Sequence, residues 1–234
     1  MPVEGQQWTT LEELRTSHRA EIRNELPGLL GIGCEPEFAI GQRALLIAGE
    51  RGNVLWDCQA LLDDEILAAV HDRGGLAAIA ISHPHYYSTM VEWAHAFDCS
   101  ILIHEDDREW VMRPDPSIEL WSGETLEPAP GLTLLRLGGH FAGGQVLHWA
   151  ERRILLSGDI VQVIPDRRYV SFMYSYPNLI PLPPDTVDEI AGRLEAWEFD
   201  TIVGAWWGRV VHDGQEAVRR SARRYRDAVE GRLS

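Results

Sequence analysis

Three predicted strands each end in a loop that carries histidine or aspartate, and this arrangement constrains the fold more than any other feature. The strands and their loops are 76–82 with His83-Pro84-His85, 132–137 with Gly138-Gly139-His140, and 153–157 with Gly158-Asp159. Apolar runs of this length suit buried strands. Glycine lets backbone segments approach closely, and loops held by a rigid scaffold often carry function. The pattern therefore predicts a sheet whose strand ends deliver chemically active side chains.

The rest of the chain alternates predicted strands and helices. Further strands are predicted at 38–48, 52–57, 100–104, 145–150 and 201–204, and helices at 10–26, 62–72, 90–97, 106–112, 185–197 and 213–232. Two strand-rich halves with interspersed helices predict two packed sheets flanked by helices, an α/β fold of the α+β type. Because no linker divides the chain, we expect one domain over residues 1–234.

Residues 163–184 form a long segment rich in proline and aromatic residues. They include Tyr169, Phe172, Tyr174 and Tyr176. Loops of this length in compact domains are often functional, so we expect this covering segment to lie over the site.

His83 and His85 are separated by one residue at the exit of a buried strand, so both can face one metal ion. Neutral imidazoles suit Zn²⁺ and iron. An isolated HxH pair is weak evidence, because two loop histidines often have no ligand role. Here the pair is followed by His140 and Asp159 at later strand ends.

The order of these motifs resembles the metallo-β-lactamase-fold superfamily, including the glyoxalase II-like hydrolases. That family has HxHxDH, then Gly-His, Gly-Asp and a late Gly-His. The matching stretches here are 83–88, 139–140, 158–159 and 204–208. The resemblance covers residues from about 38 to 208 and implies a four-layer αββα sandwich. It also implies Asp57 as a residue that orients the first loop.

The same resemblance implies the metal ligands and the departures from them. His83, His85 and His140 match the ligands of the first metal, and Asp159 is implied as a fourth ligand or as the base for a water molecule. Tyr87 and Ser88 stand in place of the Asp and the last His of HxHxDH, and Trp207 in place of the late His. In the family these three positions serve mainly the second metal. Three imidazoles and one carboxylate suffice for one tetrahedral ion but not for a two-metal site.

The replacements remove charge and add aromatic surface, which predicts an apolar substrate pocket. Its expected lining residues are Tyr86, Tyr87, Ser88, Phe141, Trp206 and Trp207. We expect His95, His104 and His148 to be structural and Asp106 and Asp107 to be solvated. His212 is the candidate for a substitute ligand.

Three functions fit these residues. The first is a metallohydrolase with one Zn²⁺, acting on a small ester, thioester or lactone. The second is a mononuclear non-heme Fe(II) oxygenase, in which His83, His140 and Asp159 form the 2-His-1-carboxylate triad. The third is a non-catalytic or metal-free binding protein on the same fold, since three of the seven usual site residues are lost.

The amino-acid composition excludes several classes of binding partner and several catalytic mechanisms. A net charge of −15 argues against nucleic acid and anionic membranes. All 21 basic residues are arginine, so no lysine is available for a Schiff base or a phosphate-binding loop. The three cysteines form no CxxC pair, and no signal peptide or membrane-spanning run is recognised, so we expect a cytoplasmic protein. The expected partners are a small-molecule substrate and a second copy in a homodimer.

Overall fold

The computed structural model describes residues 8–49 and 52–233, and its centre consists of two β-sheets. Residues 1–7, part of the stretch inspected for a signal peptide, lie outside the described residues. The first sheet has seven strands in chain order: β1 (Arg19–Leu26), β2 (Leu29–Glu35), β3 (Ala44–Ile47), β4 (Asn53–Trp56), β5 (Leu76–Ala80), β6 (Ser100–His104) and β7 (Ile118–Trp121).

Helices connect the parallel part of this first sheet. Strands β1 to β4 pair antiparallel, and β4 to β7 pair parallel. Parallel neighbours need a crossover connection. Helix α2 (Asp64–His71) provides the one from β4 to β5, and α3 (Met90–Phe97) the one from β5 to β6. Both helices bury their apolar faces in one core with the outer face of the sheet. A short helix, α1 (Leu11–Ser17), begins with a capping box between Thr10 and Glu13.

The second sheet has six strands in the order β17-β16-β11-β10-β9-β8. Their bounds are β8 (Thr125–Ala129), β9 (Leu132–Arg136), β10 (Gln145–Trp149), β11 (Ile154–Leu156), β16 (Thr201–Val203) and β17 (Val210–His212). Helix α4 (Pro184–Leu194) connects the parallel pair β11 and β16, and α5 (Gly214–Val229) packs beside it. Between β11 and α4 lie two small hairpins: β12 (Gln162–Val163) with β13 (Val170–Ser171), and β14 (Met173–Ser175) with β15 (Ile180–Pro181).

Three apolar cores separate the layers. One lies between α2, α3 and the first sheet, and one between the second sheet and α4, α5. The third is built from both sheets, for example Trp56 and Leu102 of the first with Leu134 and Leu147 of the second. This is the expected four-layer αββα sandwich, and none of the described helices is long and apolar enough to cross a membrane.

The predicted helix at 10–26 is wrong beyond Ser17. Residues 19–26 form β1, an edge strand that pairs with β2. Its charged residues at 19, 21, 23 and 25 recur every second residue, which is the period of a strand rather than of a helix. Strand β2 itself was missed because Gly31 and Gly33 interrupt its apolar pattern. Also missed were β7, β8 and β17, and the predicted strand 38–48 is reduced to β3.

Candidate metal centre

The first histidine pair is fixed by Asp57 and Ser82. The fully buried Ser82 and His83 follow the end of strand β5, and a turn of 3₁₀ helix (Pro84–Tyr86) carries His85. The Ser82 backbone N–H donates to Asp57 Oδ1 at 2.7 Å, and Ser82 Oγ lies 2.8 Å from His83 Nδ1. Asp57 therefore orients the loop, as the sequence suggested, and His83 Nε2 is turned away from Ser82.

His140 follows β9 through Gly138 and Gly139, both at positive φ. Its Nδ1 lies 3.1 Å from the carbonyl oxygen of Met173 and 2.9 Å from that of Tyr174. Because a carbonyl only accepts, Nδ1 must carry the proton. The lone pair is then on Nε2, which is buried and has no hydrogen-bond partner. An orphaned buried acceptor of this kind calls for a ligand.

Asp159 reaches the cluster from the turn after β11. Gly158 has φ +50°, and a Cβ there would lie 2.5 Å from Ser82 Oγ, so only glycine lets the turn pack against the histidine loop. Asp159 Oδ2 lies 3.8 Å from His83 Nε2, and its Oδ1 accepts from Gln162 Nε2 at 3.4 Å.

Four donor atoms meet at this point. One ligand atom from each of His83, His85, His140 and Asp159 lies within 4.8 Å of all the others. His83 Nε2 and His85 Nδ1 are 3.1 Å apart. A Zn–N bond of about 2.0–2.1 Å puts two tetrahedral ligand atoms about 3.3 Å apart, so this donor set fits one transition-metal ion.

Burial controls the protonation of the cluster. It lowers the pKa of His83 well below its ordinary value, lowers that of His140, and lowers the pKa of His85 to about 4. The imidazoles are therefore neutral at pH 7, the state in which histidine binds metal. Burial also raises the pKa of Asp159 to about 7, a shift that a nearby cation reverses.

No protein-family model matches the chain. YmaE of Bacillus subtilis strain 168, an uncharacterized protein, is 51% identical over 236 residues, which cover 98% of this chain and 86% of YmaE. This chain belongs to the YmaE family.

Solved structures identify the fold that this YmaE-family chain adopts. The DIM-1 metallo-β-lactamase superposes with a TM-score of 0.68 at 14% identity, covering 89% of this chain and 98% of that one. A metallo-β-lactamase from Pontibacter korlensis gives 0.66 at 14% identity, covering 89% and 100%. A metallo-β-lactamase family protein from Thermus thermophilus gives 0.59 at 15% identity, covering 88% and 82%. The metallo-β-lactamase fold is therefore confirmed, and the His/Asp cluster fits its HxHxDH-like metal site.

Two of the six expected pocket residues contact the cluster in this YmaE-family structure. The Phe141 ring lies 5.0–5.6 Å from the rings of all three histidines. The Tyr86 ring lies 4.7 Å from that of His83, and its hydroxyl is buried without a hydrogen-bond partner.

The other four expected pocket residues have different surroundings. Tyr87 is buried in the core beneath the first sheet, and exposed Ser88 offers its carbonyl oxygen to Arg113. Trp206 also packs against that core and donates its Nε1–H to the carbonyl of Ile40. Trp207 lies on Gly31 and Gly33 of β2, with the guanidinium groups of Arg23 and Arg43 at 4.7 and 5.4 Å from its ring.

Trp207 therefore fills the space that the two β2 glycines leave empty. The sequence pattern predicts it in the substrate pocket, and the contacts that the structure shows for it are with β2 instead. Trp206 likewise contacts the outer core rather than the histidines.

The remaining histidines stay outside the cluster. His104 and His148 bond to the backbone carbonyls of Gly123 and Glu198, and His95 pairs with Asp115 on the surface. His212 is exposed on β17, so its prediction as a substitute ligand is wrong.

Asp107 is buried, which contradicts its expected solvation. Its Oδ1 accepts from the Gly143 backbone N–H at 2.7 Å, and burial raises its pKa to about 6. This hydrogen bond lies inside the protein, which explains why Asp107 is buried although the Asp106-Asp107 pair reads as a solvated surface sequence.

The covering segment holds His140 and Asp159 through its backbone and one tyrosine. Met173 and Tyr174 of β14 contact His140, and the Tyr176 hydroxyl donates to the carbonyl oxygens of Asp159 and Ser171. Sequence reasoning missed the roles of Ser82 and Trp110. Ser82 directly precedes His83 at a strand end, a position that could have suggested it. Trp110, whose ring lies 5.4 Å from Phe141, carries no such signal.

Proposed function

We propose that this protein is a metal-dependent hydrolase with one ion per chain, acting on a small ester, thioester or lactone. The observation that carries the proposal is the convergence of three neutral imidazoles and one carboxylate on a single point. The buried, partnerless Nε2 of His140 is the clearest sign that the point is meant to hold a cation.

His83 Nε2, His85 Nδ1 and His140 Nε2 would hold the ion, and Asp159 would lie beside its fourth position, which stays open for water or substrate. Zn²⁺ at such a site polarises a carbonyl and brings the pKa of water down toward about 7. The chain's own part is to fix the imidazoles through Ser82 and the Met173 and Tyr174 carbonyls. Asp159 is the cluster's carboxylate and the proposed acceptor of a proton from the attacking water.

Access to the cluster is one-sided. His83 and His140 are 0% and 4% exposed, whereas His85 is exposed. We therefore propose that the substrate carbonyl approaches from the His85 side, next to Phe141.

One ion rather than two is supported by the residues at the second position. Tyr87 and Trp207 have neither carboxylate nor imidazole, and their contacts are with an apolar core and with β2. In a two-metal mechanism the second ion needs about as many ligands as the first.

The test is hydrolysis by metal-free and reconstituted protein. Chelator-treated protein should lose activity on p-nitrophenyl esters and on thioesters, and one equivalent of Zn²⁺ should restore it. Asp159→Asn should lower kcat/KM by at least about 100-fold, in the range of general acid–base catalysis, while His148→Ala should leave it unchanged. Undiminished hydrolysis after chelation contradicts the proposal. Bound iron in protein that consumes oxygen and hydrolyses none of these substrates favours the oxygenase alternative, and absence of any metal binding favours a binding protein.

We also propose a single domain in a reducing compartment such as the cytoplasm. The core shared by both sheets supports the first point. Three free cysteines, two of them buried, support the second.

A further inference from the structure

An aromatic path leads from the metal centre to the surface. Phe141 contacts all three histidine rings, and the Trp110 ring meets Phe141 edge to face at 5.4 Å. Trp110 is 47% exposed. Large aromatic side chains left open beside a reaction centre offer apolar contact area to whatever binds there.

Exposed apolar side chains are concentrated on two segments beside this path. Of the ten large apolar side chains that stand exposed in the described part of the chain, five lie within residues 110–112 and 174–180. They are Trp110, Met112, Tyr174, Leu179 and Ile180. Of these five, Trp110 is the one whose ring contacts a neighbour of the histidines, so it is the apolar side chain best placed to meet a bound ligand.

Both segments are anchored next to the histidines. Arg113 donates to the carbonyl of Ser88, three residues from His85, and pairs with Glu92 of α3. On the other side, the Tyr174 carbonyl accepts from His140. The two segments are therefore tied to the loops that carry His85 and His140.

We propose that Trp110 determines specificity and that the substrate carries an apolar acyl group of medium length, which lies along Phe141 and Trp110. This inference rests on the proposed hydrolase function and adds its substrate class. Water would add a hydroxyl to the acyl carbon as the bond from that carbon to oxygen or sulfur breaks. The leaving alcohol or thiol takes the other proton. The rings of Phe141 and Trp110 offer the acyl group apolar area and no charge.

The first test compares p-nitrophenyl acetate and p-nitrophenyl octanoate with Zn²⁺-loaded protein. Wild type should favour the octanoate in kcat/KM. Trp110→Ala should reduce this preference by about tenfold or more, the range for losing apolar pocket contacts. Metal content should be unchanged, and acetate hydrolysis should fall much less than octanoate hydrolysis, because the acetyl group is too short to lie along the Trp110 ring. Trp8→Ala, which removes a tryptophan 87% exposed elsewhere on the surface, is the matched control. An unchanged preference, or an equal loss on both esters, overturns the proposal.

A binding experiment separates this inference from the hydrolase proposal. Calorimetry with octanoate and acetate needs no turnover, so it remains informative if no ester is hydrolysed. Octanoate should bind wild type more tightly than acetate, and Trp110→Ala should abolish the difference. If Trp110→Ala instead weakens only self-association in sedimentation, the surface is a contact between copies and the proposal fails.

Discussion

The imidazole of His140 shows how the backbone can fix the tautomer of a buried histidine. Two backbone carbonyls hold its Nδ1 proton, so the lone pair of Nε2 faces the other donors in a buried place. The partner of the second ring nitrogen fixes both the tautomer and the orientation of a histidine ligand. Ser82 Oγ, 2.8 Å from His83 Nδ1, orients the second ring. Because a hydroxyl both donates and accepts, it does not by itself select the tautomer.

Replacing His140 by alanine should weaken metal binding by more than about 100-fold, because loss of a ligand exceeds the 10–100-fold typical of outer partners. His85→Ala should behave similarly. Competition with a chromophoric chelator measures the affinity. His148→Ala and His95→Ala are the controls, and equal retention of metal by all four variants would show that the ligands are wrongly assigned.

Ser82→Ala should lower metal affinity by about 10–100-fold without changing the number of ions bound, as expected for a second partner of a histidine ligand. Ser221→Ala is the matched control, since it removes another buried serine hydroxyl that bonds to backbone. If both variants keep wild-type affinity, Ser82 does not position His83.

At the scale of residues, the sequence was sufficient to predict which four side chains come together but not what surrounds them. Each of the four follows a predicted strand, so strand ends and residue type were enough to select them. The carbonyls that fix His140 lie more than 30 residues away in the covering segment, and no local pattern connects them. Trp207 was misplaced because its motif position gave no information on where its side chain packs.

At the scale of elements, β2 and the loop after β16 depend on one another. A Cβ on Gly31 would lie 2.4 Å from the Trp207 ring, and one on Gly33 would lie 3.0 Å away. The Trp207 indole therefore packs directly on the two glycines, and this contact holds the loop after β16 against the first sheet. Glycine weakens the sequence pattern of a strand, so β2 could not be predicted. The packing of Trp207 explains why glycine stands at these two positions.

Trp207→Ala should reduce the free energy of unfolding by about 2–4 kcal/mol, somewhat less than a fully buried aromatic because the ring is only partly buried. Trp8→Ala should stay within about 0.5 kcal/mol of wild type, as for an ordinary surface substitution. Denaturant titration measures both. A loss of metal with unchanged stability would instead place Trp207 at the cluster.

The contact between Gly31 and Trp207 predicts that the effects of substituting the two residues are not additive. Gly31→Ala should destabilise wild type but cost much less in the Trp207→Ala background, because the clash partner is gone. Additive effects in the same titrations would mean that the indole does not rest on Gly31.

At the scale of the whole molecule, the two sheets are tied together at the edge that bears the site. Asp107, just after β6, accepts from Gly143 between β9 and β10, and Gln145 of β10 donates to the carbonyls of Ile81 and Ser82. The sandwich itself followed from the order of strands and helices. These cross-links did not, because they join residues distant in sequence.

Asp107 should make stability depend on pH. Its pKa is raised from 3.8 in the unfolded chain to about 6, mainly by burial, so the folded state favours the protonated acid. The stability that this pKa shift contributes is fully present below pH 3.8 and is lost as the pH rises through 6. The unfolding free energy of Asp107→Asn minus that of wild type should therefore increase from about pH 4 to 6 and level off above. A difference independent of pH would show that Asp107 titrates normally.

We expect the sandwich to hold one metal ion at the cluster of His83, His85, His140 and Asp159. The metal content of protein purified without added metal, followed by calorimetric titration of the stripped protein with Zn²⁺, tests this. Both measurements should give one equivalent per chain, and His140→Ala should lose it. Two equivalents per chain, or none in folded protein, would show that the cluster is not a one-metal site.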